Sequence, residues 1–330
     1  EGLGIFQMVY PFYVTLLLIS TAGFPLAISK LIPEKNSNER KFHALHLLKI
    51  SLLFVSFTAG LTALITCKYA NFITASVLED SRTYYTIIIL APALFITTIA
   101  SIFRSFFQGF QNMIPTAISQ LTEQISRFAA TLIILSIISS LSLSYKAAGI
   151  AFGIIIGEMA GLLFLLIYFF FWYNSIRKNI HNSNKSYGII NSYKKIAFLA
   201  LPITGGTILH SLIKSFEAVL IPSQLKLSGL VQAEATALFG QLSGMVEQVV
   251  FLPAVITTAL TISLIPNISK NYAKNNLTII RKNYQDVLRI ITYMGIPASL
   301  FFYIYGTEIC KLLFAYPQAG KILSALAIAA

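Results

Sequence analysis

The chain has 330 residues, of which 56% are hydrophobic and only 11% are charged, and its mean hydropathy is +0.75. A soluble domain of this length cannot bury so much apolar surface, so the composition excludes an ordinary soluble protein. The formal net charge of +12 agrees with cationic loops beside anionic lipid and does not require a nucleic acid partner. We therefore expect an all-α, polytopic membrane protein.

Apolar runs that can each cross about 30 Å of hydrocarbon recur along the whole chain. Eight full spans are predicted, near residues 8–32, 44–66, 83–103, 114–138, 147–173, 196–221, 236–265 and 287–305. A ninth run begins near Ile322 and is still apolar at Ala330. Because the sequence opens at Glu1 without a signal-peptide pattern, we expect a fragment that lacks both ends of a longer protein.

Most lysines and arginines lie in the connections after the first, third, fifth and seventh spans. Arg40, Arg177 and Arg281 are examples. Loops on the cytoplasmic side of a membrane carry an excess of these residues, so this set is predicted to be cytoplasmic. Glu1 then starts on the outer side.

The predicted fourth span carries a polar face. The side chains at three- or four-residue steps along it are Thr116, Gln120, Glu123 and Arg127. This spacing places them on one side of a helix, with Gln124 beside them. Glu123 and Arg127 are close enough to pair. The pair either neutralises itself and packs against another helix, or it belongs to a face that lines a water-filled cavity.

The predicted sixth span repeats this pattern. Its polar residues at helical spacing are Thr207, His210, Lys214 and Glu217. A single histidine at such a position is usually a packed, hydrogen-bonded side chain. His210 lies one turn from a lysine and two turns from a glutamate, so a cavity-lining role is the competing interpretation.

Glycines recur at every fourth position of the predicted fifth span. They are Gly149, Gly153, Gly157 and Gly161. Such a row predicts close approach of another helix backbone. For Glu158, which lies beside the row, packing and a functional role both stay open.

The sequence contains no zinc-ligand spacing, nucleophile elbow or phosphate-binding glycine loop. We therefore expect neither enzyme activity nor a metal or organic cofactor.

Residues 104–127 read RSFFQGFQNMIPTAISQLTEQISR. This stretch resembles a signature of the polysaccharide biosynthesis and stage V sporulation protein B branch of the MOP (multidrug, oligosaccharidyl-lipid and polysaccharide) flippase superfamily. The signature pairs R-x-x-x-Q-G with P-T-A-x-S-Q and E-Q-x-x-R. Segments across 202–225 and 252–269 are similar to the family's seventh and eighth helices. The resemblance covers essentially the whole chain and departs at Glu247 and Gln248, where apolar residues are expected.

The resemblance implies a MATE-like bundle of about fourteen helices, in which two lobes face each other across a central cavity. On that plan the chain holds helices two to nine and the start of helix ten. The N-lobe is expected in residues 1–195 and the truncated C-lobe in residues 196–330. The expected location is a bacterial cytoplasmic membrane.

The resemblance also implies a flippase that moves an undecaprenyl-linked saccharide, such as a peptidoglycan precursor or a polysaccharide unit. Arg127 and Lys214 would bind the pyrophosphate of that substrate. Gln120, Gln124 and Thr207 would donate hydrogen bonds to phosphate or sugar.

Other residues are expected to support these groups. Glu123, Glu217 and His210 would balance the cations when the cavity is empty and could couple an ion, H⁺ or Na⁺. Arg104 and Gln108 would lie at the cytoplasmic mouth, where they could gate the cavity or cap a helix turn.

The expected partners are the lipid-linked saccharide, membrane lipids and enzymes of cell-wall synthesis. Two alternatives stay open. One is an antiporter of organic cations from the same superfamily, whose cavity should favour acids over fixed cations. The other is a scaffold for cell-wall synthesis that transports nothing.

Overall fold

The computed structural model describes the backbone of residues 1–32, 38–177, 189–255 and 277–328. Side chains are described for residues 1–32, 41, 44–175, 204–255 and 277–328. Within these ranges the secondary structure is helical and contains no strand, which confirms the all-α fold class.

The α-helices of the larger, first part of the chain are α1 (Gly2–Thr21), α2 (Phe24–Leu31), α3 (Asn38–Lys68), α4 (Ala70–Phe72), α5 (Tyr84–Gly109), α6 (Ile114–Ile137), α7 (Leu143–Arg177) and α8 (Ile189–Leu227). The α-helices that follow are α9 (Gln232–Gln241), α10 (Glu247–Val250), α11 (Leu277–Phe314) and α12 (Ala319–Ala327). Single π-helical turns occupy Ile73–Val77 and Leu242–Val246, and a 3₁₀ turn occupies Ser81–Thr83.

Within the described ranges, five segments are long and apolar enough to cross a membrane. They are Gly2–Thr21, Ala44–Lys68, Ser81–Gly109, Leu143–Ser175 and Leu277–Phe314. They overlap the predicted first, second, third, fifth and eighth spans. The predicted fourth span corresponds to α6, whose polar face lowers its hydropathy. Most of the second half of the predicted seventh span, from residue 256 onward, lies outside the described residues.

The predicted first span is wrong as a single helix over 8–32. Helix α1 begins at Gly2, and the chain breaks at Ala22 and Gly23, whose φ angles are 44° and 72°. Pro25 in the first turn of α2 contributes to the break, because proline has no amide hydrogen for a helical bond from the preceding turn. The span is therefore two helices joined at a left-handed turn.

The chain divides into two compact units, one holding residues 4–230 and the other residues 231–330. The predicted lobe boundary near Lys195 lies among residues whose side chains are not described, so the two lobes stay a prediction.

The core of the larger unit is built around α5. Helix α5 packs against α3 on one side and α7 on another. Phe103, Phe106 and Phe107 of α5 are buried, and their rings contact Phe169 or Trp172 of α7. Edge-to-face contacts of this kind fix the relative positions of the two helices.

Helix α6 lies directly on the glycine row of α7, as predicted. A Cβ atom on Gly157 would lie 2.7 Å from both Arg127 Cβ and the Glu123 carbonyl oxygen. A Cβ atom on Gly161 would lie 3.2 Å from Glu123 Cβ and from the Ser119 carbonyl oxygen. The missing side chains therefore allow the polar residues of α6 to lie close to the α7 backbone.

The smaller unit contains α9 to α12. Val246, Val249, Cys310 and Leu323 are buried in its core. Helix α11 bends at Tyr305, where the backbone leaves helical geometry. The first turns of α11, from Leu277 onward, are continuous with the rest of the helix.

Candidate functional site

Two arginines and two glutamates from three helices lie together inside the larger unit. They are Arg104 on α5, Glu123 and Arg127 on α6, and Glu158 on α7. We call these four residues the charge cluster. Glu123 lies about 13 Å along α6 from its first residue, at 1.5 Å per residue. Glu123 and Glu158 are both buried.

Glu123 is the fully paired member of the charge cluster. Arg104 Nη2 donates to Glu123 Oε2 at 2.6 Å, and Arg127 Nη2 donates to Glu123 Oε1. Arg104 Nε also donates to Ser119 Oγ at 3.2 Å. A buried carboxylate is tolerated when charged donors satisfy its oxygens, and Glu123 meets that condition at both.

Glu158 is held much more weakly. Its Oε1 accepts from Arg127 Nη2 at 3.4 Å, and its Oε2 lies 3.9 Å from Arg104 Nη2. Within the described part of the chain, Glu158 Oε2 and Arg127 Nε are buried without a hydrogen-bond partner. The two glutamates are both about 5% exposed, so they differ in pairing and not in burial.

The predicted polar face of α6 divides into two rows. Thr116, Ser119 and Glu123 are buried against α5 and α7, whereas Gln120 and Gln124 are exposed. The Arg127 side chain lies between the two rows and is 25% exposed. Arg127 is therefore the cation of the cluster that a ligand can reach most easily.

The contact between Arg104 and Glu123 was not predicted from the sequence. Arg104 and Gln108 were expected at the cytoplasmic mouth, and Gln108 lies half-buried one turn nearer the end of α5. A gating role for these two residues stays a prediction. The sequence motif of residues 104–127 could have indicated the pair. It places an arginine near the end of one helix and a glutamate on the next helix.

The predicted site residues of α8 form a separate group. Lys214 Nζ donates to Glu217 Oε2 at 2.7 Å, and the two side chains are 33% and 38% exposed. Thr207 Oγ1 donates to the Thr204 carbonyl at 2.9 Å, and His210 is exposed. Lys214 thus pairs with a glutamate of its own helix, whereas Arg127 pairs with Glu123 on its own helix and also contacts Glu158 on α7.

Helix α1 makes hydrogen bonds beside the charge cluster and to the α8 helix that carries Lys214. Tyr13 OH and Thr97 Oγ1 are 2.8 Å apart, and Thr97 lies beside Glu158. Thr15 Oγ1 lies 2.7 Å from Ser211 Oγ and 2.9 Å from Ser215 Oγ on α8. Sequence reasoning missed these hydroxyls because isolated Ser and Thr residues in an apolar helix produce no periodic pattern.

A cavity of about 170 Å³ lies in the same unit, lined by residues of α1, α5 and α8 such as Phe12, Leu90 and Leu212. Its lining is almost wholly apolar, so it does not suit a charged headgroup. The side chains of the unit that can bind a charged headgroup lie in the charge cluster and in the exposed row of Gln120 and Gln124 beside it.

Comparisons with known proteins agree with this architecture. A sequence profile of the family described as "Polysaccharide biosynthesis protein" matches residues 1–272. Stage V sporulation protein B of Bacillus subtilis (strain 168) is 26% identical over 99% of this chain and 63% of its own length. Lipid II flippase MurJ of the same organism is 27% identical over 93% of this chain and 60% of its own length. The chain thus spans somewhat over half of these relatives.

A solved structure shares the fold. It is titled as an inward-facing conformation of a multidrug resistance MATE family transporter of the MOP superfamily. The TM-score is 0.62 at 13% identity, over 99% of this chain and 74% of the other. The likeness confirms the MATE-like helical fold, and the profile match confirms the resemblance seen in residues 104–127. The chain is therefore a multi-pass bacterial membrane protein that belongs to the polysaccharide biosynthesis protein family.

Proposed function

We propose that the protein is a flippase that moves an undecaprenyl-linked saccharide from the inner to the outer leaflet by alternating access. The substrate would be a peptidoglycan precursor or a polysaccharide unit. The observation that carries this proposal is a buried charge cluster whose most exposed member is a cation, Arg127, beside two exposed carboxamides. The family match and the name of one relative, a lipid II flippase, support it.

The chemistry of such a substrate explains why these residue types are needed. A pyrophosphate does not cross hydrocarbon unless cations and hydrogen-bond donors replace its water. Gln120, Gln124 and Arg127 follow one another over about 10 Å of helix, at 1.5 Å per residue. This row offers two amide donors and one guanidinium, a set that fits a diphosphate joined to a sugar.

In this proposal Glu123 holds Arg127, Arg104 holds Glu123, and neither Glu123 nor Arg104 binds the substrate. Glu123 accepts from both guanidinium groups, so it fixes the position of Arg127 and offsets part of the positive charge. A guanidinium already neutralised at one edge still has other N–H groups for a phosphate, because arginine carries five donors.

Helix α8 would supply the second cation. Lys214 is half-exposed and paired with Glu217, so Glu217 can balance the lysine charge while no substrate is bound. Thr207 and His210 lie on the same face of the helix, where they would contact phosphate or sugar.

An antiporter of organic cations is the second candidate, because the solved structure with this fold is a multidrug resistance transporter. Organic cations need exposed acids. In the charge cluster the Arg127 side chain is 25% exposed and both glutamates are 6% exposed. Within the charge cluster this arrangement favours an anionic ligand. On α8 the Lys214 and Glu217 side chains are exposed to a similar extent and do not discriminate between the two candidates.

A transport assay tests the proposal. The full-length protein would be reconstituted in liposomes with a fluorescent undecaprenyl pyrophosphoryl saccharide, and outward movement would be measured. Replacing Arg127 and Lys214 together by alanine should slow flipping by about tenfold or more, since each charged contact is worth about 1.5–3 kcal/mol. A matched control, Lys226→Ala with Arg281→Ala, removes one lysine and one arginine elsewhere. Equal flipping by the two double variants would refute the proposal.

Coupling to H⁺ or Na⁺ and association with cell-wall enzymes belong to the same proposal. Coupling would appear as a dependence of flipping on an imposed ion gradient. Association would appear as co-purification of synthesis enzymes with the full-length protein from native membranes.

A further inference from the structure

The two carboxylates of the charge cluster are unequal in pairing although they are equal in burial. Both oxygens of Glu123 accept hydrogen bonds from guanidinium groups. Glu158 has one contact of 3.4 Å and one of 3.9 Å, and its Oε2 is buried without a hydrogen-bond partner in the described structure. An ionised carboxylate with an unpaired oxygen is costly in a dry environment, and a proton on that oxygen removes the cost.

We propose that Glu158 is a proton-binding group that sets the net charge of the charge cluster and thereby controls the binding of an anion at Arg127. The inference rests on the proposed function for the identity of that anion. Glu158 is a positioning residue in this scheme, because Arg127 and not Glu158 contacts the ligand.

The charge balance shows why one proton has a large effect. With both carboxylates ionised, two arginines and two glutamates sum to zero, and the cluster has no net attraction for an anion. With Glu158 protonated, the same four residues carry one positive charge. Charges interact several times more strongly inside a protein than in water, so this change acts strongly on a phosphate beside Arg127.

The charged and titratable groups that face Glu158 come from three helices. Helix α5 contributes Arg104, and α6 contributes Glu123 and Arg127. Helix α1 contributes Tyr10 and Tyr13, which lie close enough to interact electrostatically with Glu158.

The 3₁₀ turn at Ser81–Thr83 also packs on α7. Its Arg82 forms an ion pair of 2.6 Å with Asp80. That pair lies near the beginning of α7, about fifteen residues before Glu158, which is about 22 Å at 1.5 Å per residue.

A hydroxyl lies beside the Glu158 carboxyl and can pair with it in either protonation state. The Thr97 hydroxyl lies beside the Glu158 carboxyl and is also hydrogen-bonded to Tyr13. With Tyr13 as donor to Thr97, the Thr97 hydroxyl can donate to the ionised carboxylate or accept from a protonated Oε2. Binding is reciprocal, so the proton strengthens anion binding and the anion strengthens proton binding by the same factor.

The test measures ligand affinity against pH. The full-length protein in lipid nanodiscs would be titrated with undecaprenyl pyrophosphoryl N-acetylglucosamine between about pH 6 and pH 8. Both phosphates of this probe are diesters, so its own charge stays constant in that range. For the wild type we expect affinity to fall with rising pH, approaching about tenfold per pH unit once Glu158 ionises.

Three variants separate the outcomes. Glu158→Gln, a permanently neutral mimic, should bind tightly at every pH, and Glu158→Asp should keep a pH dependence. Glu234→Gln, which removes an exposed carboxylate of α9, should behave as the wild type. A wild-type pH dependence in Glu158→Gln, or pH-independent binding by the wild type, would overturn the proposal.

A measurement without ligand keeps the two proposals distinguishable. Infrared spectra of the wild type should contain a carbonyl band of a protonated carboxyl that disappears as the pH rises and is missing in Glu158→Gln. If no probe binds at any pH but this band titrates, the proposed substrate is wrong and Glu158 still binds a proton. If no such band is found, the proton-binding proposal is wrong.

Discussion

Replacing Gly157 by alanine is the sharpest test of how the charge cluster is held. The added Cβ would lie 2.7 Å from both Arg127 Cβ and the Glu123 carbonyl oxygen, whereas ordinary contact begins at 3.4 Å. Helix α6 must therefore retreat from α7 by about 0.7 Å. The 3.4 Å contact between Arg127 and Glu158 would then lengthen beyond the limit of about 4 Å for an ion pair.

The energetic effect can be estimated against a matched control. Overpacking of this kind costs about 1–3 kcal/mol, and alanine recovers about 1 kcal/mol because glycine is a poor helix former. Gly60 lies in α3, and a Cβ atom there would meet nothing within 4 Å. Gly60→Ala should therefore gain the helix stability of about 1 kcal/mol without a cost of overpacking. The difference between the two variants isolates the contact between α6 and α7, at about 1–3 kcal/mol.

Thermal unfolding in detergent and flipping in liposomes measure the two consequences. We expect Gly157→Ala to unfold a few degrees below Gly60→Ala and to flip the lipid-linked substrate more slowly, because the charge cluster has opened. Equal unfolding temperatures and equal flipping rates for the two variants would show that the glycine row does not hold the cluster together.

Three further predictions follow from the pairing of individual side chains. Glu123→Ala leaves two guanidinium groups without their shared carboxylate and should destabilise the protein by about 3–5 kcal/mol. The loss would be seen as a loss of monodisperse protein on size exclusion, and unchanged stability would contradict the role assigned to Glu123. Thr15→Val removes the hydrogen bonds from α1 to α8 and should cost about 0.6–2 kcal/mol, measured as a lower unfolding temperature than that of wild type. Lys226→Ala removes an ion pair at the end of α8 and should change stability by less than about 1 kcal/mol, and a larger shift in the same thermal assay would contradict this.

The polar face of α6 was predictable because helical periodicity is a local property. The bounds of α6, Ile114–Ile137, lie within one residue of the predicted span, and Glu123 does pair with Arg127. The close approach of α6 to the glycine row was also predictable, since the row needs no knowledge of the partner helix. In each case the signal lies within a single helix.

The remaining partners were not predictable, because they come from other helices. Arg104 is 19 residues from Glu123 in sequence and pairs with it only once α5 and α6 fold against each other. Glu158 could be noted as a charge beside glycines, but its weak pairing is a property of distances. The break at Ala22 also escaped prediction, because the apolar run continues through it without interruption.

The left-handed turn at Ala22 and Gly23 sets α1 apart from the helices that carry the charge cluster. Helices α5, α6 and α7 are fastened to each other by ion pairs and by backbone contact at the glycine row, so they resist relative motion. Helix α1 is joined to α2 through two residues with left-handed φ angles, and side-chain hydroxyl groups connect it to α5 and α8. A change in the φ angles of these two residues would alter the angle between α1 and α2 without breaking an ion pair of the charge cluster.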